Sequence, residues 1–285
     1  MKDVKIGIIG GSGVYDIEGV KLIKYLKITT PFGNPSDDIK IVDINGIKIA
    51  FLPRHGIGHR FTPSEVNYRA NIFALKKIGV EKIISVSASG SLKEEIKPRD
   101  FVIPDQLYDR TKGRPSTFFG NGIVAHVSFA SPFCPEIRKI LVETARELKL
   151  PVHDGGTYVC MEGPQFSTKA ESKVNRSLGF SIIGMTNIPE SKLAREAEIC
   201  YATIALATDY DVWKENEEVS VEKVVSNMKC LASNVKLLIK ASVAKLSSAG
   251  SCSCHEALKY AIMTSPEAIN KKTKRKLEIL LKKYL

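Results

Sequence analysis

Two carboxylates one residue apart, Asp209 and Asp211, close an apolar run at Ala207-Thr208-Asp209-Tyr210-Asp211. Burial and mutual repulsion raise the pKa in such a pair, and a carboxylic acid still protonated near neutral pH can act as a general acid. The same pattern also suits a capped loop or a cation, and the pair alone leaves those readings open. Pro53-Arg54-His55-Gly56 sets a planar guanidinium fork beside an imidazole. That suits phosphate oxygens, or equally a surface Arg beside a core His. Gly10-Gly11-Ser12-Gly13 follows a short apolar strand, so its N–H groups and the Ser12 hydroxyl can cradle an anion or form a plain tight turn. A dinucleotide loop would need glycine where Asp16 stands, and no Gly-Lys-Ser/Thr follows to make a P-loop. Ser87-Ala88 ends another strand with a hydroxyl and an N–H.

The elements that must position these groups follow from pattern. Val4–Ile9, Lys82–Val86, Phe101–Pro104, Tyr158–Met161 and Tyr201–Thr208 read as strands. Lys40–Ile44 and Ile47–Leu52 flank Asn45-Gly46, a hairpin signal because both turn positions need positive φ. Val66–Ile78, closed by Gly79, and Pro135–Leu148, opened by proline, read as helices. Ser220 caps a third, with Val221, Val224, Val225, Met228, Leu231, Val235 and Leu238 at core spacing, and Ser265-Pro266-Glu267 starts a last one. Alternating strands and helices with an early hairpin predict an α/β fold around a mixed central sheet. The candidate residues fall just after strands, where such folds place sites.

The 285 residues, 44% hydrophobic, can bury a large core, and no linker or repeat divides them. No apolar run approaches a membrane span and no signal peptide opens the chain, so a soluble, cytoplasmic protein is expected. The net charge of +11 invites a nucleic-acid partner. However, seven Lys and Arg against two Glu crowd into Pro266–Leu285, and no aromatic-interleaved basic stripe exists, so a solvated basic tail is preferred. Of six cysteines, Cys134, Cys160, Cys200 and Cys230 sit in apolar or helical contexts. Cys252-Ser253-Cys254 has no second pair at zinc-site spacing, which disfavours metal. A strained Cys252–Cys254 disulfide stays open beside free thiols, since a Lys- and Glu-rich composition hints at a thermophile, where intracellular disulfides occur.

Two further stretches, Met161-Glu162-Gly163-Pro164-Gln165-Phe166-Ser167 and Asn187-Ile188-Pro189-Glu190, complete an ordered set of five motifs. In order and spacing the set resembles the 5'-methylthioadenosine phosphorylases, relatives of the trimeric purine nucleoside phosphorylases, from Val4 to Leu246. The resemblance implies a three-layer α/β nucleoside phosphorylase-like fold, with a catalytic domain over 1–248 and a C-terminal extension over 249–285 carrying the Cys-x-Cys and a basic helix. It implies phosphate binding by Ser12, Arg54, His55, Ser87, Ala88 and Thr186. It places Asp209 at purine N7 with Asp211 fixing the amino group, Phe166 stacked on the base, Ser167 nearby and Met185 against the ribose. His59, Val221, Val224 and Val225 would surround a methylthio group, with His126 reaching in from a neighbouring subunit. Family members acting on 6-oxopurines carry Asn at the position of Asp209 and Glu at that of Ser167, so this chain's Asp and Ser imply a 6-aminopurine. Inorganic phosphate is the implied co-substrate, with no metal or organic cofactor, in a homotrimer or homohexamer. The rival readings are a broad phosphorylase acting on adenosine and inosine, a nucleoside hydrolase, and a nucleic-acid-binding protein on the same scaffold.

Overall fold

A computed structural model describes residues 4–11, 20–215, 217 and 219–285. Its first strand, β1 (Ile6–Gly10), sends Ile6 and Ile8 into one core and Ile9 into the other, so both faces of the sheet are covered. The chain continues through β2 (Lys21–Leu26), β3 (Ile39–Ile44) and β4 (Ile47–Pro53). Asn45 and Gly46 turn the β3–β4 hairpin at φ +54° and +82°, as the sequence predicts. Helix α1 (Tyr68–Ile78) begins two residues later than expected because the Asn67 side chain caps it, accepting from Ala70 N–H. Gly79 ends it in the left-handed region.

Strand β5 (Lys82–Ser91) is longer than its apolar half suggested and is the hub of the sheet. Its first half pairs in parallel with β1, and its end pairs antiparallel with β10 (Ile182–Gly184). Along its other edge runs β11 (Cys200–Asp209), parallel to it. Between these lie β6 (Phe101–Ile103), β7 (Gln106–Arg110), α2 (Pro135–Glu147), β8 (Val152–Asp154), β9 (Thr157–Met161) and α3 (Lys169–Ser177). Helix α4 (Asn187–Glu196) follows β10, and α5 (Val221–Ser248) follows β11. The eleven strands form one mixed sheet, with β2-β3-β4-β1-β5-β10-β9-β7 as its main path and β11, β6 and β8 as a branch. Helices α1 and α4 pack on one face, α2 and α5 on the other, which is the expected three-layer α/β fold.

Two expectations need correction. Val221 and Val225 are not core residues, being 66% and 45% exposed, while Val224 is half-buried. The first turns of α5 precede its contact with the sheet, and continuous burial on its inner face starts near Leu231 and Val235. The basic segment is not one helix either. Ser265 makes no side-chain cap and Pro266–Ala268 form a single 3-10 turn. Ile269 is then extended, and Asn270 caps α6 (Lys271–Lys276), which is followed by α7 (Glu278–Leu281). That break lets Ile269, Leu277, Leu280 and Leu281 all bury in the α1/α4 core, so the segment after Ser248 is packed against the main body.

Candidate active site

The ends of β1, β4, β5 and β11 meet at one edge. Arg54 N–H donates to Gly10 O at 2.9 Å, tying the end of β4 to the end of β1. The Arg54 side chain turns inward and is 1% exposed. Nε and Nη2 form a fork on Glu190 at 2.8 and 2.9 Å, while Nη2 also reaches Ser85 Oγ at 2.6 Å and Nη1 reaches Val86 O at 3.0 Å. Glu190, fully buried on α4, also accepts from Ser85 Oγ and Tyr201 OH. The guanidinium fork read from sequence as free for phosphate is therefore committed to Glu190.

His55 is buried, and its Nδ1 donates to Phe61 O at 2.9 Å, leaving Nε2 with the lone pair in the neutral ring. Burial first, then the Arg54 charge, pushes its pKa down to about 4, so the ring is neutral at physiological pH. The exposed His59 ring stacks on it at 4.3 Å. Across the strand, Ser87 Oγ lies 3.0 Å from Tyr158 OH and 3.2 Å from Thr186 Oγ1. Tyr158 can approach because residue 184 is glycine: a Cβ there would meet its hydroxyl at 1.9 Å. Thr186 precedes α4 and spends no side-chain bond on capping it. The structure thus gathers Ser87 and Thr186 into a hydroxyl pair, with Ala88 next in β5 opposite Leu206. Ser12 lies outside the described residues.

At the end of β11 the ladder shifts register between Ala207 and Asp209, which sets Asp209 opposite Gly90. A Cβ at Gly90 would meet Asp209 Oδ1 at 2.9 Å, so glycine makes the room. Asp209 Oδ2 accepts from Thr208 Oγ1 at 2.7 Å and Oδ1 accepts from Asp211 N–H at 2.8 Å. Asn227 of α5 braces this end by donating to Thr208 O. Asp211 sits at φ +51° and is buried, and its Oδ2 has no hydrogen-bond partner. Burial raises its pKa and the neighbouring Asp209 charge adds to the rise, while the Ser172 and Ser167 hydroxyls oppose it. The result is a buried carboxyl group of raised pKa with one oxygen lacking a partner.

Met185 packs against Gly163 of the Met161–Ser167 stretch, where an added Cβ would meet its sulfur at 2.4 Å. Ser167 is buried and Phe166 is 42% exposed. Val221 and Val225 stand open, and His126 is exposed on a loop whose N–H donates to Ala261 O. One organising residue escaped the sequence reading. Buried Arg114 donates from Nη1 to Met185 O and Ile188 O, and from Nη2 to Glu162 O, clamping two motifs together. An isolated Arg in a Gly- and Pro-containing loop carries no periodic signal that could have marked it.

The sequence profile described as the phosphorylase superfamily matches residues 5–244. An S-methyl-5'-thioadenosine phosphorylase from Geobacter sulfurreducens is 52% identical, over 98% of this chain and 99% of its own. The chain belongs to the methylthioadenosine phosphorylase family of that superfamily. Among solved structures, a methylthioadenosine phosphorylase from an antarctic soil metagenomic library covers 99% of this chain and 100% of its own at 51% identity, with TM-score 0.94. A methylthioadenosine phosphorylase from Schistosoma mansoni, solved with adenine, is 38% identical over 93% of this chain and 99% of its own, with TM-score 0.87. The family profile stops at residue 244, but these whole-chain matches carry the likeness into the segment after Ser248.

Two predictions follow from the buried charges. Glu190→Gln leaves the Arg54 guanidinium buried without its counter-charge and should cost roughly 3–5 kcal/mol of stability in denaturant titration. An unchanged midpoint would remove Glu190 as the anchor. His55 keeps a folded pKa near 4 against 6.5 in the unfolded chain, so below pH 6.5 the unfolded state binds the extra proton. Its contribution should reduce stability by about 3 kcal/mol between pH 6.5 and 4. His55→Gln should flatten that part of the stability–pH curve, and an unaltered curve would contradict the neutral assignment.

Proposed function

We propose that the enzyme carries out phosphorolysis of 5'-methylthioadenosine, releasing adenine and 5-methylthioribose 1-phosphate for purine and methionine salvage. The observation that carries this reading is the buried Asp209–Asp211 pair, one of whose oxygens lacks a partner, on the same strand edges as the Ser87–Thr186 hydroxyl pair. The names of the relatives, methylthioadenosine phosphorylases in each case described above, support the same substrate.

Phosphate is held by the Ser87 and Thr186 hydroxyls, the Ala88 N–H, Ser12 and His55. A neutral His55 with its lone pair on Nε2 accepts the P–O–H of monohydrogen phosphate, while the paired Arg54 lies behind it. A phosphate oxygen bonds to the anomeric carbon as the bond to N9 breaks, and that electron pair leaves with the purine. The dyad carries one proton, donates it to N7, and accepts from the 6-amino group. Resemblance puts the acid at Asp209. The open oxygen and raised pKa of Asp211 favour that residue as the proton carrier, with Asp209 as the fixed acceptor. Adenine keeps the dyad's proton, and the proton that monohydrogen phosphate gives up on bonding to the sugar returns to the dyad through solvent, so the reaction balances with phosphate as sole co-substrate. Phe166 covers the base, Ser167 lies beside the dyad and Met185 meets the ribose.

The 5' wall of His59, Val221, Val224 and Val225 is open in the single chain, which supports its completion by His126 from a neighbouring subunit. Exposed Val124, Tyr260 and Met263 border His126, joined to it through the Ala125–Ile262 bridge, and favour a homotrimer or homohexamer. We take this to be a cytoplasmic enzyme, with 1–248 as its catalytic domain and 249–285 as an extension bound to it. No helix of the described residues is long and apolar enough to cross a membrane.

The test compares adenine or hypoxanthine release from methylthioadenosine, adenosine and inosine at saturating phosphate. Methylthioadenosine should be fastest and inosine slowest, and Asp211→Asn should lower kcat by roughly 10²–10⁴. Equal rates on all three nucleosides would overturn the specificity. Full activity of Asp211→Asn would overturn the proton carrier.

A further inference from the structure

At the opposite end of β11 from the dyad, four cysteines converge. Cys200 opens the strand, Cys134 immediately precedes α2, and Cys252 and Cys254 lie just after α5. Their four sulfurs all lie within 4.8 Å of one another, and Cys134 Sγ is 3.5 Å from Cys252 Sγ. A tetrahedral zinc–thiolate centre with Zn–S bonds of about 2.3 Å has sulfur–sulfur edges of about 3.8 Å. The 3.5 Å pair lies just under that edge and no pair exceeds 4.8 Å, so small side-chain shifts would complete the tetrahedron. We propose that Cys134, Cys200, Cys252 and Cys254 form a closed, four-coordinate zinc site that staples the segment after Ser248 to the sheet.

Sequence spacing disfavoured metal because no second cysteine pair follows Cys252-Ser253-Cys254. Topology supplies that pair from residues far apart in the chain. The surroundings also fit. Four thiolates around one Zn²⁺ leave a charge of −2, which a buried site must offset. Lys82 is 7% exposed and lines a cavity of about 40 Å³ together with Cys134, Cys200 and Cys252. Its ammonium donates to Ala249 O at 2.9 Å, and among the described residues it has no carboxylate partner. His255 Nε2 stands 3.4 Å from Cys200 Sγ and 3.3 Å from Glu81 O. A carbonyl can only accept, so that nitrogen carries the proton and also points a donor at the sulfur, as outer partners of metal thiolates do. Binding would replace the four S–H protons with one metal ion and release them to solvent, with no change of oxidation state. Along the ten residues of β11, Cys200 and Asp209 are roughly 30 Å apart, so the site is structural and separate from catalysis.

The test is metal analysis of the full-length wild-type enzyme, purified without chelator after expression with zinc in the medium. We expect one zinc per chain. We also expect zinc to leave the native protein in step with titration of four of its six thiols by a mercurial reagent, and removal of zinc by a strong chelator to lower the melting temperature. Replacement by cobalt should give the visible bands of a tetrahedral thiolate complex. Cys252→Ser/Cys254→Ser should drop the zinc to background, while Cys230→Ser, altering an exposed cysteine outside the cluster, should retain it. Metal-free wild-type protein with six reactive thiols would overturn the proposal. So would an intact mass short by two hydrogens per bridged pair.

Discussion

The buried ion pair between Arg54 and Glu190 is the constraint on which the site depends. It joins the end of β4 to α4, and its shared bonds to Ser85 and Tyr201 bring β5 and β11 into the same network. A guanidinium and a carboxylate this deep are expensive to desolvate, and the arrangement holds because nearly every donor and lone pair is used. Its consequence is geometric. With α4 pinned at Glu190, Thr186 at its start is set beside Ser87, and Arg114 draws the Met161–Ser167 stretch up to Met185.

Two opposite electrostatic settings then coexist on one sheet edge. Near Arg54, burial and the positive field lower the pKa of His55 to about 4 and keep its ring neutral. At the end of β11, burial first and the neighbouring Asp209 charge after it raise the pKa of Asp211. Asp209 has fixed partners while Asp211 keeps an open oxygen, so two identical side chains meet different surroundings.

Much of this was legible in the sequence where local chemistry and periodicity agreed. The Asn45-Gly46 hairpin, the proline-opened α2, the Ser220 cap and the apolar β11 ending at the dyad all follow from turn, cap and burial rules. Helix α3 could also have been read, since Thr168 and Glu171 form a capping box. What escaped detection depended on tertiary neighbours. Glu190 looked like part of a motif and proved to be the counter-charge of Arg54, while Arg114 had no pattern around it at all. The exposed valines at the start of α5 mimicked a core stripe because apolar spacing cannot tell an open apolar face from the interior. The tail helix broke because burying Ile269 and Leu277 mattered more than continuing one turn.

The central claim is that phosphate, and not water, takes the sugar when the dyad releases the base. The most direct measurement is turnover of methylthioadenosine in water enriched in heavy oxygen, with and without phosphate, followed by mass spectrometry of the sugar product. The account predicts 5-methylthioribose 1-phosphate free of label, and no adenine release when phosphate is omitted. Labelled free methylthioribose, formed at the same rate without phosphate, would make the enzyme a hydrolase and contradict the role given to Ser87, Thr186 and His55.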